Sequence, residues 1–258
     1  MNNNTLLIRA KALKLHGAIA HWNQIENATW LPELLQWEED ERQSRGLESR
    51  FAKAKLGRFK PMVEFDWSWP KKCDREAIEE LMQLEFLKKA INPILIGPNG
   101  VGKTTIARNI AHQALLKGHS VLFTTAGNML ADLFSQDGKL AFARRLKYYE
   151  QPSLLIVDEM GYMSYADGYA DLLFEVVSRR HEKKSTLVTT NKPFNEWGES
   201  FANASCLVSI IDRLVHHAEI ITIEADSFRL KDSEEEAEQR KQARKVKLAT
   251  RNRKTKEQ

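Results

Sequence analysis

The sequence predicts an α/β protein whose core is a five-stranded parallel sheet with helices on both faces, preceded by a small helical N-terminal domain. Two observations predict this class. From residue 74 onward, helical segments alternate with short, apolar, β-branched runs spaced far enough apart for crossover helices, as in a buried parallel sheet. Before residue 60, apolar residues recur at helical spacing and Gly and Pro are rare. The five predicted strands are residues 93–96, 120–125, 154–157, 186–190 and 219–223.

The domain boundaries follow from changes in pattern and composition. Leu6, Ala10 and Leu13 lie at helical spacing near the start of the chain. Pro61 and Pro70 then bracket an aromatic segment, which should be extended because each Pro disfavours helix in the residue before it. The final residues are too poor in large apolar side chains to bury a core, so they should be disordered or form a solvated helix. The predicted parts are the helical domain (1–60), the aromatic linker (61–73), the sheet-containing domain (74–231) and a charged, basic tail (232–258).

The positive charge of the chain is concentrated in that tail. The 258 residues include 39 Lys and Arg against 35 Asp and Glu, for a formal net charge of +4. Residues 239–258 hold nine basic residues and one acidic residue, a net +8, which leaves −4 for the rest of the chain. Three interpretations of the tail stay open: it binds nucleic-acid phosphates without sequence preference, it docks a partner protein, or it is an inert solvated extension.

The cysteines and the hydropathy pattern favour a cytoplasmic protein. Cys73 and Cys206 are far apart and lack the spacing of a disulfide framework or a metal knuckle. No apolar run approaches the roughly 18 to 20 residues that a membrane helix needs. The first apolar run is interrupted by Arg9, Lys11 and Lys14, and no small-residue cleavage site follows it. We therefore expect neither secretion nor membrane insertion.

A phosphate-binding loop follows the first predicted strand. Residues 97–104 read Gly-Pro-Asn-Gly-Val-Gly-Lys-Thr, which matches G-x-x-x-x-G-K-[ST] between a strand and a helix. The glycines let successive N–H groups point at phosphate oxygens, and the helix N-terminus adds partial positive charge. Lys103 would contact the β- and γ-phosphates, and Thr104 would place its hydroxyl on Mg²⁺. The predicted nucleotide-binding residues here are Gly97, Pro98, Asn99, Gly100, Val101, Gly102, Lys103, Thr104 and Thr105.

Two carboxylates, Asp158 and Glu159, follow the third predicted strand. The carboxyl ends of parallel strands meet at the edge of the sheet where ligands bind. Asp158 would hold the metal together with Thr104, and Glu159 would take a proton from the water that attacks the γ-phosphate. Acidic residues also follow buried strands simply because the chain returns to solvent there. The phosphate loop upstream favours the first interpretation, that of an ATP-hydrolysing enzyme.

Asn191 and Arg213 are further candidates. Asn191 follows the fourth predicted strand, and its amide can accept from a water and donate to a phosphate oxygen. Asn is also an ordinary turn residue, here ahead of Lys192 and Pro193, and the spacing favours neither interpretation. Arg213 lies at the end of an apolar helical stretch, from which it would either pair with a local acidic neighbour or project across a subunit contact. Spacing does not decide between these alternatives.

The order of these residues resembles the IstB-like helper ATPases of insertion-sequence transposition, which belong to the AAA+ clade that includes DnaC-type helicase loaders. The resemblance covers most of residues 5–231. It is carried by residues 123–126 (FTTA), 155–162 (LIVDEMGY), 170–174 (ADLLF), 178–180 (SRR), 189–198 (TTNKPFNEWG) and 211–217 (IDRLVHH). The resemblance implies an AAA+ P-loop NTPase core with ATP and Mg²⁺ as cofactors.

The resemblance also implies residue roles and partners. Asn191 would be the first sensor residue, Arg213 the finger that reaches a neighbouring subunit's γ-phosphate, and Arg229 a second phosphate sensor. The aromatic segment within the linker, residues 65–69, would lie near the adenine or pack between the domains. The implied function is ATP-dependent homo-oligomerisation on duplex DNA and direction of a partner transposase to target DNA. The alternative is an adaptor similar to a DnaC-type helicase loader.

Two groups of basic residues are candidates for DNA contact, with a solvated helix face as the alternative for each. The first precedes the aromatic linker and consists of Arg50, Lys53, Lys55, Arg58 and Lys60. The second follows the second predicted strand, where the resemblance implies helices that track DNA, and consists of Lys139, Arg144, Arg145 and Lys147.

Overall fold

The computed structural model describes residues 2–201 and 205–228. Arg229 and the basic tail therefore lie outside the described residues. Contacts within the chain divide it into two compact units, residues 1–53 and 54–258. Within the described ranges, no helix is both long enough and apolar enough to cross a membrane.

The first unit is helical. It contains α1 (Asn3–Ala12), α2 (His16–Ala20), α3 (Trp22–Ile25) and most of α4 (Leu31–Ala54). The Asn2 side chain accepts a hydrogen bond from the Asn4 amide and so caps α1. Arg9 of α1 and Glu39 of α4 form an ion pair of 2.7 Å across the unit. The buried apolar residues at helical spacing form its core: Leu6, Ala10, Leu13, Trp22, Leu31 and Leu35.

The second unit alternates strands with helices. Its strands are β1 (Asn92–Ile96), β2 (Val121–Thr125), β3 (Leu154–Met160), β4 (Ser185–Thr190) and β5 (Ala218–Thr222). Its helices are α5 (Arg75–Gln83), α6 (Glu85–Lys88), α7 (Lys103–Leu116), α8 (Ala126–Phe134), α9 (Lys139–Glu150), α10 (Tyr169–Arg180), α11 (Trp197–Ser200) and α12 (Leu207–Val215), with short 3-10 helices at Met62–Glu64 and Phe194–Glu196.

The five strands form one parallel sheet in the order β2-β3-β4-β1-β5. This arrangement confirms the predicted fold class. Leu155 and Val157 of β3 belong to a core cluster that includes residues of α8, α10 and α12. Ile156 points to the opposite face and is equally buried, so helices cover both faces of the sheet. The strand order places β4 between β1, which leads into the phosphate loop, and β3, which carries the two carboxylates.

Two local predictions need correction. The third strand does not end at Val157: it continues through Asp158 and Glu159 to Met160, because β4 keeps pairing with it. The aromatic segment is not extended throughout, because Asp66 Oδ1 accepts hydrogen bonds from the Ser68 amide at 3.0 Å and the Ser68 hydroxyl at 2.6 Å and forms a turn.

One buried cation fixes the end of α10 that lies away from the phosphate loop. Arg180 is 1% exposed. Its guanidinium donates to the carbonyls of Tyr149, Glu150, Pro152 and Ser185 and to the Thr186 hydroxyl. Burial lowers the pKa of Arg180 to about 9, so the side chain remains a cation at neutral pH. It ties α10 to the end of α9 and to the start of β4.

We expect Arg180→Leu to lower the free energy of unfolding by about 3 to 5 kcal/mol, because a buried acceptor that loses its donor costs about 1 to 3 kcal/mol. Urea denaturation at pH 7 measures the change. The matched control is Arg179→Leu: Arg179 precedes Arg180 but is 46% exposed, and its ion pairs with Glu150 and Glu175 are exposed and worth roughly 0 to 1 kcal/mol. Equal losses in the two variants would contradict the anchoring role of Arg180.

Candidate nucleotide-binding site

The phosphate loop joins β1 to α7 and is packed so closely that its glycines have no room for a side chain. A Cβ on Gly97 would lie 2.3 Å from the Ile223 carbonyl oxygen, and one on Gly100 would lie 2.3 Å from Ser227 Oγ. A Cβ on Gly102 would lie 2.4 Å from the Phe65 ring. Gly100 and Gly102 also have φ values of +82° and +101°, which favour glycine. The loop is thus enclosed by the aromatic linker on one side and residues 223–228 on another.

Lys103 lies at the first position of α7 and is 4% exposed. Its Nζ donates to the carbonyls of Gly97 at 2.6 Å and Pro98 at 2.7 Å. The same ammonium lies 5.7 Å from the centre of the Tyr162 ring. These contacts hold the cation inside the curve of the loop, where phosphate oxygens bind in proteins with this motif.

Asp158 connects the loop helix to the neighbouring strand. Its carboxylate is 3% exposed and accepts hydrogen bonds from Thr104 Oγ1 at 3.0 and 3.1 Å. The Thr189 hydroxyl of β4 donates to the same carboxylate at 2.5 Å. Three elements, α7, β3 and β4, therefore meet at one buried carboxylate. Sequence reasoning assigned Thr189 no role; the available signal was a hydroxyl near the end of a buried strand, beside the predicted acidic pair.

Glu159 lies at a β-bulge. Val157 pairs with Val188 and Met160 pairs with Thr190, so β3 contains one residue more than β4 between these pairs. Glu159 has a φ of +61°, which is rare for a residue with a side chain. Its amide donates to Thr189 Oγ1 at 3.1 Å. The bulge leaves the Glu159 side chain exposed and lining the same cavity as the phosphate loop.

Tyr165 supports the bulge from behind. Its hydroxyl accepts a hydrogen bond from the Gly161 amide at 3.3 Å and donates to the Glu159 carbonyl at 3.5 Å. Burial raises the pKa of Tyr165, so the phenol remains a hydrogen-bond donor across the neutral pH range. Backbone strain at a bulge persists only where neighbours enforce it, and Thr189 and Tyr165 are two such neighbours.

The two remaining candidates, Asn191 and Arg213, have different local surroundings. Asn191 directly follows β4, and its Oδ1 is buried without a hydrogen-bond partner in the described part of the chain. Arg213 lies on α12, where its guanidinium stacks on Phe174 at 4.4 Å and donates to Ser178 Oγ. The local partners are thus a hydroxyl and an aromatic ring instead of the acidic neighbour considered from the sequence, and projection of Arg213 across a subunit contact stays a prediction. Among the described residues, neither Asn191 nor Arg213 lines the cavity at the phosphate loop.

The cavity in front of the loop has a volume of about 460 Å³, which lies in the range of small-molecule sites. The rings of Phe65, Trp69 and Phe228 form an aromatic wall of this cavity. The Phe65 ring lies 4.8 Å from the Trp67 ring, and the Trp69 and Phe228 rings lie 5.8 Å apart. Trp69 Nε1 donates to the Asp226 carbonyl at 2.9 Å and so fixes this wall. The lining residues are Lys60, Glu64, Phe65, Asp66, Trp69, Asn99, Gly100, Val101, Gly102, Lys103, Thr104, Thr105, Glu159, Tyr162 and Phe228.

Sequence reasoning did not assign Glu64, Tyr162 or Phe228 to this site. Glu64 is far from the loop in sequence. Tyr162 follows β3 and Phe228 follows β5. Both strands end at the edge of the sheet where β1 leads into the phosphate loop, and this shared edge brings the two rings to the site. An aromatic ring close to a phosphate loop suits a planar base, which stacks on it.

The strand order and the loop, with a buried Asp beside its Thr, define a P-loop protein of the AAA+ class. Within that class, the family model described as IstB-like ATP binding protein matches residues 5–236. The chain therefore belongs to the IstB-like ATP-binding protein family, which confirms the resemblance found in the sequence.

Individual relatives agree with this assignment. A Pseudomonas aeruginosa relative, named as a putative ATP-binding protein of insertion sequence IS21, is 37% identical over 77% of this chain and 75% of its own length. A Geobacillus stearothermophilus relative, named for insertion sequence IS5376, is 32% identical over 86% of this chain and 88% of its own length. The crystal structure of DnaI is similar in fold, with a TM-score of 0.54 and 18% identity over 67% of this chain and 92% of that one.

We expect Gly102→Ala to destabilise the protein through its contact with Phe65 as well as through its backbone. Gly118 is the matched control, because it has a similar φ of +89° but a Cβ on it would meet no described atom within 4 Å. Gly118→Ala should lose about 1 to 2 kcal/mol from the left-handed backbone alone, and Gly102→Ala should lose more. Urea denaturation measures both.

The double variant Gly102→Ala, Phe65→Ala should lose less free energy of unfolding than the sum of the losses in the two single variants, because residues in contact give non-additive effects. Strictly additive losses would mean that the linker does not press on the loop.

Proposed function

We propose that this protein binds and hydrolyses ATP with Mg²⁺, assembles into homo-oligomers on duplex DNA and directs a partner transposase to target DNA. The observation that carries the proposal is the buried Asp158 bonded to Thr104 beneath the phosphate loop, with Glu159 facing the same cavity, in a chain of the IstB-like family. The relatives described above are named for insertion sequences, which supports the link to transposition.

The residues at the loop suit a nucleotide with its metal. The Thr104 hydroxyl and the Asp158 carboxylate lie 3.0 to 3.1 Å apart, and both offer the oxygen donors that Mg²⁺ prefers. Bound there, Mg²⁺ would neutralise charge on the phosphate oxygens. Lys103 would exchange its bonds to the Gly97 and Pro98 carbonyls for bonds to the β- and γ-phosphates. The aromatic wall, with Phe65 and Trp69, would hold the base.

Hydrolysis requires a group that takes a proton from the attacking water. Glu159 is proposed as this base, because it is exposed to the cavity and its amide is fixed to Thr189. Glu159 is exposed whereas the adjacent Asp158 is buried, so the two carboxylates are proposed to serve different tasks. Asn191 is proposed to bind the water or a γ-phosphate oxygen, since its buried Oδ1, which has no partner among the described residues, is left to accept from a ligand.

The part of the proposal that concerns DNA rests on surface charge and on the family. Lys139, Arg144 and Lys147 are exposed on α9, where they are available to phosphates. Arg145 is less available, because it is bonded to Asp132 at 2.5 Å and stacked on Tyr148 at 4.4 Å. The three interpretations of the basic tail stay open, and a role for Arg229 in sensing phosphate stays a proposal.

Helicase loading is not favoured by a specific observation. DnaI and this chain are 18% identical in sequence, so the similarity between them concerns the fold alone. The relatives named for insertion sequences cover more of this chain at higher identity.

Two substitutions are expected to separate binding from hydrolysis. Lys103→Ala should abolish ATP binding and DNA-dependent assembly, because the ammonium is the main point charge on the phosphates.

Glu159→Gln should bind ATP and assemble on DNA, yet hydrolyse ATP about 10² to 10⁴ times more slowly, because the amide cannot take the proton. A fluorescent ATP analogue measures binding, and phosphate release with and without duplex DNA measures turnover.

The matched control is Lys117→Ala, which removes a lysine at the other end of α7. Unchanged ATP affinity in Lys103→Ala would reject the site. Near-normal hydrolysis by a folded Glu159→Gln protein would reject Glu159 as the base but not the site.

Arg213→Ala is expected to leave ATP binding by the isolated subunit intact and to slow hydrolysis by about 10³ to 10⁵, the effect of fingers in other P-loop enzymes. The exposed Arg179→Ala serves as the control on the neighbouring helix. Mixing Arg213→Ala with Lys103→Ala should restore some activity, because one interface can then combine an intact loop with an intact finger.

The mixed oligomers are verified by mass measurement. If they form and the mixture is as inactive as either variant, Arg213 acts within its own subunit, through its contacts with Phe174 and Ser178.

A further inference from the structure

Three histidines and a glutamate meet where α10 and α12 end. His181 and Glu182 directly follow α10, and His216 and His217 directly follow α12. The ligand atoms of His181, Glu182 and His216 all lie within 4.8 Å of one another. We call His181, Glu182, His216 and His217 the histidine cluster. It shares no residue with the cavity at the phosphate loop.

The glutamate is the centre of the cluster. Glu182 Oε1 lies 3.6 Å from His216 Nδ1, 3.7 Å from His217 Nε2 and 3.9 Å from His181 Nε2. In a tetrahedral zinc site with bonds of about 2.0 to 2.1 Å, neighbouring ligand atoms are about 3.3 Å apart. The observed separations from the carboxylate therefore exceed those of a zinc site by about 0.3 to 0.6 Å.

A hydrogen bond of His181 determines which of its ring nitrogens keeps a lone pair. His181 Nδ1 lies 3.1 Å from the Arg213 carbonyl oxygen. A carbonyl oxygen only accepts, so Nδ1 carries the hydrogen and Nε2 of the neutral ring keeps its lone pair. Histidines that bind metals commonly donate their other ring N–H to a backbone carbonyl in this way.

The backbone around the cluster is held in place before any ligand binds. Asn92 of β1 donates from its amide to the His217 carbonyl at 2.7 Å and from its Nδ2 to the Leu214 carbonyl at 3.1 Å. Glu182 has a φ of +57° and lies in a turn that directly follows α10 and is closed by a backbone hydrogen bond of 3.0 Å from the Lys183 amide.

We propose that the histidine cluster is a zinc site. The ligands are His181 Nε2, a Glu182 carboxylate oxygen and His216 Nδ1, with His217 or a water molecule in the fourth position. Two or three imidazoles with one carboxylate are a ligand set typical of Zn²⁺. The metal joins the end of α10 to the end of α12, and Arg213 lies on α12 about one turn before His216.

Equilibrium dialysis of the untagged full-length protein against zinc chloride, followed by metal analysis, tests the proposal. We expect one zinc ion per chain. Glu182→Gln and His216→Ala should each weaken zinc binding at least tenfold, since even indirect partners of metal ligands contribute about 10- to 100-fold. The matched control is His16→Ala, which removes a histidine in α2, away from the cluster in sequence, and should leave the affinity unchanged.

Cobalt provides a second readout, because Co²⁺ bound at a tetrahedral site gives visible absorption that Glu182→Gln should reduce. Glu182→Gln keeps the shape of an exposed side chain, and an unchanged melting temperature without metal confirms that it folds. Zinc that binds the cluster variants as tightly as the unsubstituted protein, or no zinc bound by the unsubstituted protein, would overturn the proposal. Neither result depends on ATP hydrolysis.

Discussion

The buried carboxylate of Asp158 is the point on which the arrangement of the site depends. It accepts hydrogen bonds from Thr104 of the loop helix and Thr189 of β4, and a buried carboxylate is stable only when its oxygens are satisfied. The Thr189 hydroxyl also accepts from the Glu159 amide. One network therefore sets the position of the loop helix, the neighbouring strand and the bulge that exposes Glu159.

The cavity in front of this network is built from segments that are far apart in the chain. Phe65 comes before the sheet and Ser227 comes after it, yet both lie where a side chain on a loop glycine would be. The glycines thus serve two purposes: they allow the loop to curve around phosphates, and they admit the aromatic linker and the last described segment. A change in the loop upon binding a ligand would be transmitted to both segments, because packed groups at this distance cannot move independently.

The candidate finger, Arg213, contacts α10 and, within the described ranges, does not line that cavity. Arg180 anchors one end of α10 through five hydrogen bonds, and Arg213 lies on the face of α12 that contacts Phe174 and Ser178 of α10. A role for Arg213 in a neighbouring subunit requires these contacts to be exchanged for contacts with phosphate. The histidine cluster lies at the ends of the same two helices. A metal bound there would therefore affect how readily Arg213 leaves its contacts with Phe174 and Ser178.

The sequence by itself determined the features that depend on local spacing. The five strands, the loop that ends in Lys103 and Thr104, and the pair Asp158 and Glu159 each occupy a short, contiguous pattern whose physics is local. The sequence could not determine that β4 lies between β1 and β3, because strand order is not encoded in chain order. That order brings Thr189 to Asp158, while the folding of distant segments brings Phe65 to Gly102 and His181 to His216. Only the tertiary structure decided these contacts, because each one joins residues whose proximity depends on the packing of the whole sheet.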